Sequence, residues 1–534
     1  MDTDTLSIEQ KYAFERYQKG HNLFITGPGG TGKTKLIQHL IDYAKQNNKK
    51  FQVCALTGCA SVLLNCGART IHSWSGIRVA RGPKDQIIAS ITRNRKTVRN
   101  WKSIKILIID EVSMMSQKMF EILDELGKII RNSSAPFGGI QVVFTGDFFQ
   151  LPPVGTDGEV ETAKFCFETP LWKTVFKDAN HIQLTTIFRQ KDPVYIEILS
   201  QIRKGKLDEK NIQILQKYVK RKYDTLVNEG IIPTKLFPIR YKADCVNTTM
   251  FDKIDEDEYH FEYSLKTDCK TQLDTGKALS MEQLIKCGKM TQTEREYETE
   301  RLLRDTPCSP LLKLKKGASV ICTVNIDMDN SICNGSQGII IDIIDRGTTI
   351  IMVKFVNGVT KQVSPHYWQS EDFPSIAIGQ YPLSLAWALT IHKIQGATLS
   401  MAEIDIGLSV FEYGQTYVAL SRIQSLDGLY LSAFQPERIR ANPTVIEFYT
   451  NIPQIDYPTE KREPTQEKTE ESMEESTKES TEESTEESTE KPTEESTEKR
   501  EPKKPIEKPK RDPFAEFRYK EKPTDPNIKV VKMS

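Results

Sequence analysis

The chain has 534 residues, 38% hydrophobic and 27% charged, with 73 basic and 73 acidic side chains that cancel formally. Length predicts about three or four domains, while the zero net charge averages unlike parts: about −11 over Glu467–Glu498, about +5 over Lys499–Arg511 and about +5 over residues 1–466. Ten cysteines without a C-x₂-C pair speak against a zinc or iron–sulfur site, and the absence of a secretion-type leader or bilayer-length apolar run predicts an intracellular protein, nuclear or cytoplasmic, with no membrane partner.

In chain order, residues 1–185 alternate short apolar runs with helical spacing. Strands are expected at Leu23–Thr26, Phe51–Ala55, Ile104–Ile109 and Gln141–Phe144. Runs that are apolar throughout, separated by helices, predict a parallel sheet covered on both faces. The first run leads into Gly27-Pro28-Gly29-Gly30-Thr31-Gly32-Lys33-Thr34, and a helical spacing follows from Lys35 to Ala44. Strand, glycine loop and helix together form a triphosphate-binding context. The loop N–H groups and the positive end of the helix face the anion. Lys33 is expected to reach the β and γ phosphates, and the Thr34 hydroxyl to ligate Mg²⁺.

A basic insertion, Arg78–Lys102, precedes the run Ile106–Ile109, which ends in Asp110-Glu111. Asp110 is expected to hold Mg²⁺ through water, and Glu111 to orient and deprotonate the attacking water. The next apolar run leads into Gly146-Asp147-Phe148-Phe149-Gln150-Leu151-Pro152-Pro153, where Gln150 is placed to sense the γ-phosphate. Arg189 in Phe188-Arg189-Gln190 and Arg422 in Ala419-Leu420-Ser421-Arg422 stand where a second domain would supply guanidinium groups to the transferring phosphoryl.

Between those arginines, Ile198–Val227 is helical and charged, and Phe251–Asp305 yields no assignment. Short β runs with Asn-Gly and Arg-Gly turns fill 315–378, as in a small barrel, and α/β patterning returns over Ser384–Phe448. Beyond Pro453 a Glu-Glu-Ser-Thr repeat and a Lys/Pro-rich run predict a disordered tail. Within it, Phe514–Tyr519 offers a docking motif for protein partners and Lys499–Arg511 resembles an import signal.

Taken in order, the phosphate loop, Asp110-Glu111, the Gly146–Val154 run, Phe188-Arg189-Gln190, Ala386–Thr398 and Tyr417–Arg422 resemble the motifs of superfamily 1 helicases. Their wording is similar to the Pif-type, RecD-like branch, over about residues 6–435. The resemblance implies an α/β fold with two RecA-like parallel-sheet domains gripping ATP. With it the chain divides into domain 1A at 1–185, with a wedge-like insertion at about 76–102, domain 2A at 186–314 and 379–452 and an SH3-like 2B insert at 315–378, followed by the compositionally disordered tail at 453–534, which the resemblance does not reach. It implies Gln10 as the adenine reader, and Thr57, His72, His392 and Lys393 as contacts to single-stranded DNA. Phe149, Pro153, Trp74 and His72 are candidates to lie against bases, with a core position the equal alternative for each. Phe148-Phe149 and Ile394 depart from the family wording. The implied activity is ATP-dependent, 5′→3′ DNA unwinding on tailed or forked duplex, in replication, repair or recombination, by a monomer. An ATP-driven translocase that does not separate strands, or an adaptor using ATP as a switch, are the alternative readings.

Overall fold

A computed structural model describes residues 5–457, except 65, 78–79, 81, 224–231, 274–275, 328, 331, 333, 346–348, 371–372, 454 and 456, together with the backbone of 528–532. The first lobe starts with α1 (Ile8–Gln18), whose N-terminus is closed by a reciprocal capping box between Ser7 and Gln10. Strand β1 (Leu23–Thr26) follows, then α2 (Lys33–Gln46), β2 (Phe51–Ala55), β3 (Arg69–Thr70), β4 (Ile106–Asp110), β5 (Gln141–Gly146) and β6 (His181–Gln183). They form one six-stranded sheet, order β3-β2-β4-β5-β1-β6, with every pair parallel.

Both faces of this sheet are covered, which is why β1 and β4 are apolar without alternation. Leu36, Ile37, Leu40 and Ile41 of α2 pack with α1 on one face. Aromatics including Phe24, Phe120, Phe144, Phe148 and Trp172 fill the other. The insertion forms helices Lys84–Arg93 and Arg95–Ser103. Trp74 packs there against Trp101 with ring centres 4.9 Å apart and is 2% exposed, so it is a core residue and not the base-stacking group expected.

The second lobe opens with α3 (Pro193–Arg203) and contains β7 (Thr234–Phe237), β8 (Ala388–Thr390), β9 (Ala402–Ile406) and β10 (Leu429–Phe434). These pair in parallel in the order β8-β7-β9-β10. The chain is thus an α/β protein with two parallel-sheet, RecA-like lobes.

The stretch between β7 and β8 carries the antiparallel structure. Ser319–Cys322, Gln337–Asp345, Thr349–Phe355 and Thr360–Val363 form a sheet completed by Leu383–Leu385. The expected insert, 315–378, is therefore too short at its end. His366–Gln369 and Ala377–Gln380 instead join Ser264–Lys266 in a separate sheet. The unassigned stretch supplies that strand, another at Glu258–Glu262, a helix at Met281–Gly288 and α4 (Gln292–Asp305). These elements are mostly short and polar, and several bury little: Ser264–Lys266 has no buried residue and the helix Met281–Gly288 only Cys287.

Two boundaries near the end also differ from expectation. Helix α5 (Pro443–Thr450) packs Val445 and Phe448 into the aromatic face of the first lobe, with Ile452 beside them, although 443–452 was assigned to the second. Tyr457 continues onto that lobe, its hydroxyl donating to Gln183 O at 3.3 Å, and Ile528–Lys532 forms a strand parallel to Glu258–Glu262. Neither fits a tail disordered from 453. The Glu-Glu-Ser-Thr repeat, Lys499–Arg511 and Phe514–Tyr519 lie outside the described residues.

Candidate active site

Strand β1 ends beside Gly146 of β5, where the backbone turns into the glycine loop. Two of its glycines are required by their surroundings. Gly30 has φ 89° and a Cβ there would stand 2.6 Å from Arg189 Cβ. Gly32 has φ 77° and its Cβ would stand 2.7 Å from Gln10 Nε2. Thr31 Oγ1 donates to Pro28 O at 2.9 Å. Lys33 Nζ donates to Gly27 O at 2.6 Å and Pro28 O at 3.0 Å. Thr34, in the first turn of α2, is exposed.

Gln10 lies behind the loop, fully buried. Its Nε2 donates to Thr31 O at 3.1 Å and Gly32 O at 3.4 Å, and its Oε1 accepts from Ser7 N at 3.0 Å. Both ends of the amide are engaged, Nε2 with the loop and Oε1 with the cap of α1.

The carboxylates arrive at the end of β4. Asp110 accepts from Thr145 Oγ1 and, at 2.9 Å, from the N–H of Glu111. Glu111 adopts φ 56°, a left-handed conformation rare for a side chain-bearing residue and common at functional sites. Burial raises the pKa of both acids. The charge of Asp110 pushes Glu111 further, against Arg422 and Lys33. A carboxylate lifted in this way is a better proton acceptor.

Arg422 comes from the second lobe, and Arg189 from the stretch that joins β6 to α3. Arg189 Nη1 donates to Ser421 O at 3.1 Å. Arg422, 2% exposed, donates from Nε to Val418 O at 3.0 Å and from Nη2 to Ser421 Oγ at 2.8 Å. A Cβ on Gly29 would lie 3.5 Å from Arg422 Nη2, and Gly29 N donates to the Tyr417 hydroxyl at 2.8 Å. Gln395 Nε2 crosses from the second lobe to Glu111 Oε2 at 3.1 Å. Lys33, Glu111, Arg189 and Arg422 are thus brought together at one seam.

The chemistry of this seam fits a hydrated polyanion. Burial lowers the pKa of Arg189, and Arg422 beside it lowers it further; burial also lowers Arg422, against Glu111. Crowded cations in a low-dielectric pocket are relieved by an anion. The side-chain oxygens of Gln150, Gln190 and Gln395 are buried without a hydrogen-bond partner, which suits bound water around a phosphate or a metal. Thr34 and Asp110 are the residues suited to hold Mg²⁺.

The expected DNA contacts divide. Thr57 Oγ1 accepts from Ala60 N at 3.2 Å at the start of helix Gly58–Leu63. His72 is half-buried, and burial lowers its pKa against the charge of Asp305. The end of α4 sits over both: a Cβ on Gly58 would meet Asp305 O at 2.7 Å, and Arg301 Nη1 donates to Ser73 Oγ at 3.2 Å. On the second lobe Lys393 is exposed and His392 half-buried. Phe149 and Pro153 are buried. Phe149 stacks on Tyr449 at 4.8 Å, with the Arg203 guanidinium 4.4 Å from its ring centre. Its faces are taken, so the expectation that Phe149 lies against a base is corrected: it is an interior residue of the lobe junction.

Known proteins share this arrangement. The sequence model of the PIF1-like helicase family matches residues 5–213, and that of the DNA helicase Pif1 2B domain matches 299–343. The chain is similar to ATP-dependent DNA helicase PIF1 of Emericella nidulans, 32% identical over 503 residues, covering 83% of this chain and 63% of that protein. It is similar in structure to the Pif1 helicase of Candida albicans, with 32% identity, TM-score 0.65 and coverage of 84% and 99% of the two chains. The chain belongs to the PIF1-like helicase family. Bacteroides Pif1 is a further structural relative, seen with ADP-AlF4 (26% identity, TM-score 0.63, 84% and 97% covered) and bound to ssDNA (27%, 0.55, 83% and 96%). The chain spans somewhat less than two thirds of the length of the curated PIF1 proteins it matches first.

Several residues of this PIF1-like site escaped the sequence reading. Asp147 lay inside a motif in which Gln150 drew attention, and Gln190 and Gln395 lay beside residues that did. Arg203 and Tyr449 carried no local signal, because only the packed lobes bring them to the loop.

Proposed function

We propose that this chain is an ATP-dependent DNA helicase that moves 5′→3′ along single-stranded DNA and opens tailed or forked duplex. The observation that carries the reading is the convergence of Lys33 and Glu111 of the first lobe with Arg189, from the connection into the second lobe, and Arg422 of that lobe at one glycine loop. The loop N–H groups and Lys33 hold the β and γ phosphates. Glu111 takes a proton from the attacking water, Gln150 senses the γ-phosphate, and Arg189 and Arg422 neutralise charge on the transferring phosphoryl. Mg²⁺, when held by Thr34 and through Asp110, neutralises phosphate charge.

Because the fingers and the base lie on different lobes, hydrolysis is coupled to closure and reopening of the seam. Thr57 and His72 on one lobe, and His392 and Lys393 on the other, grip one strand alternately, which converts that cycle into steps. Family membership and the DNA named with the Bacteroides relative support this substrate. The polarity and a role in replication, repair or recombination follow the family resemblance. Among the described residues no helix is long and apolar enough to cross a membrane.

A strand-displacement assay tests the reading. ATP should support opening of a duplex with a 5′ single-stranded tail and not of one with a 3′ tail, and Lys33→Ala should abolish it. ATPase activity stimulated by single strands without displacement on either substrate would instead mean a translocase.

A further inference from the structure

Asp147, wholly buried, follows β5 directly. Gly146 stands beside Thr26 in the sheet, so Asp147 runs on next to Gly27, whose carbonyl accepts from Lys33 Nζ. Its partner comes from the other lobe. Arg203, the last residue of α3, donates from Nε to both carboxylate oxygens (3.2 and 3.0 Å) and from Nη2 to Oδ1 (2.9 Å). The Arg203 guanidinium lies 4.4 Å from the Phe149 ring centre and 5.2 Å from that of Tyr449. The Tyr449 hydroxyl ties the cluster to the loop: it is 2.5 Å from Thr26 Oγ1 and accepts from Phe148 N at 3.1 Å.

One carboxylate therefore serves two cations. Burial works against the charge on Arg203, but Asp147 outweighs it. Burial likewise works against Lys33, and among the carboxylates that sustain its charge Asp147 comes ahead of Glu111 and Asp110, with Arg203 opposing. A buried carboxylate stripped of one partner is costly unless it finds another, and Lys33 is the other cation within reach of its field.

We propose that Asp147 is a positioning carboxylate shared between the lobes: while Arg203 holds it, Lys33 is left to the phosphates, and when the lobes part and Arg203 withdraws, Asp147 draws Lys33 away and loosens the nucleotide. This rests on the reading that a nucleoside triphosphate occupies the glycine loop. Asp147 and Arg203 then set when the nucleotide is released and take no part in the chemical step.

Equilibrium binding of fluorescent ADP to the full-length chain, without turnover, tests the sharing in four forms: wild type, Arg203→Gln, Asp147→Asn and the double variant. Arg203→Gln should weaken binding about tenfold or more, since Lys33 is captured, and the double variant should return to within about threefold of wild type. A purely structural pair would also recover once the stranded carboxylate is removed, so the discriminating form is Asp147→Asn, which should release ADP more slowly than wild type only if Asp147 competes for Lys33; a double variant as weak as Arg203→Gln overturns the proposal. If Arg203→Gln does not fold, Asp147→Asn alone decides. ADP should then dissociate about threefold more slowly or slower still, and an unchanged dissociation rate overturns the sharing. Wild-type protein that binds neither ADP nor ATP overturns the nucleotide reading itself, whereas wild-type binding that no variant alters overturns the sharing alone.

Discussion

Gln395 of the second lobe donates from Nε2 to Glu111 Oε2 of the first at 3.1 Å, so the proposed general base is oriented from across the seam. The bond is charge-assisted and half-shielded from water, a class that contributes about 1.5–3 kcal/mol. Gln395→Ala should therefore lower kcat for ATP hydrolysis by about tenfold to a hundredfold, with nucleotide affinity little changed. Glu111→Gln should abolish turnover while keeping binding. Steady-state ATPase kinetics beside equilibrium nucleotide binding check both. An equal loss in affinity and rate for Gln395→Ala would mean that it supports the loop and not the base.

Arg189 and Arg422 approach the loop from one side but are held differently. Arg422 is locked to Val418 O and Ser421 Oγ, while Arg189 reaches Ser421 O by one nitrogen. An arginine finger contributes about 10³–10⁵ in rate, and lysine does not reproduce its planar, bidentate fork. Arg422→Lys should show a loss of that order in kcat, and Arg189→Lys a similar one if both face the phosphoryl. Each should leave binding of ADP within a few fold of wild type. Single-turnover hydrolysis reads this directly, and a variant with unchanged single-turnover rate loses its place as a finger.

The phosphate loop, β1, β2, β4 and β5 were legible in the sequence, because a glycine pattern between an apolar run and a helical spacing has few other solutions. The four small strands of the insert were legible for a similar reason, since Asn334-Gly335 and Asn357-Gly358 punctuate them. The role of Phe149 was not. An aromatic beside a phosphate-sensing motif reads the same whether it faces a base or a partner helix, and only α5, some 300 residues later, decides it. Helix α5 was misassigned for the same reason: adjacency in sequence placed it with the second lobe, while Val445 and Phe448 complete a core laid down by β1 and β5. Local pattern specifies elements, and the long-range pairing that builds the seam leaves no local trace.

Phe149 gives that distinction a measurement. It is 7% exposed, stacked on Tyr449 and faced by Arg203, so Phe149→Ala should cost about 3–5 kcal/mol of stability, seen as a lowered Tm. Phe149→Leu keeps much of the volume and should retain single-strand affinity within about twofold. A Phe149→Leu protein of normal Tm that had lost base stacking, with affinity down by about 1–3 kcal/mol, would return Phe149 to the DNA surface.

The seat of α4 on the first lobe should depend on acid. Glu298 is 1% exposed, accepts from Arg301 Nε at 3.0 Å and from Arg301 Nη2 and Ser370 Oγ more closely. The same Arg301 reaches Ser73 beside His72. Burial acts to raise the Glu298 pKa, but the bonds to Arg301 and Ser370 outweigh it and hold the group below its ordinary value. A depressed folded pKa means the pair's stabilisation is fully present above the ordinary carboxylate value and is lost as pH falls through the folded one. Exchange of the amides of 292–305 should accordingly stay slow at neutral pH and quicken below about pH 4. Glu298→Gln should show the quicker exchange at neutral pH and little further change on acidification, because the titrating group is gone. Acid-induced loosening that survives in Glu298→Gln would place the switch on another carboxylate.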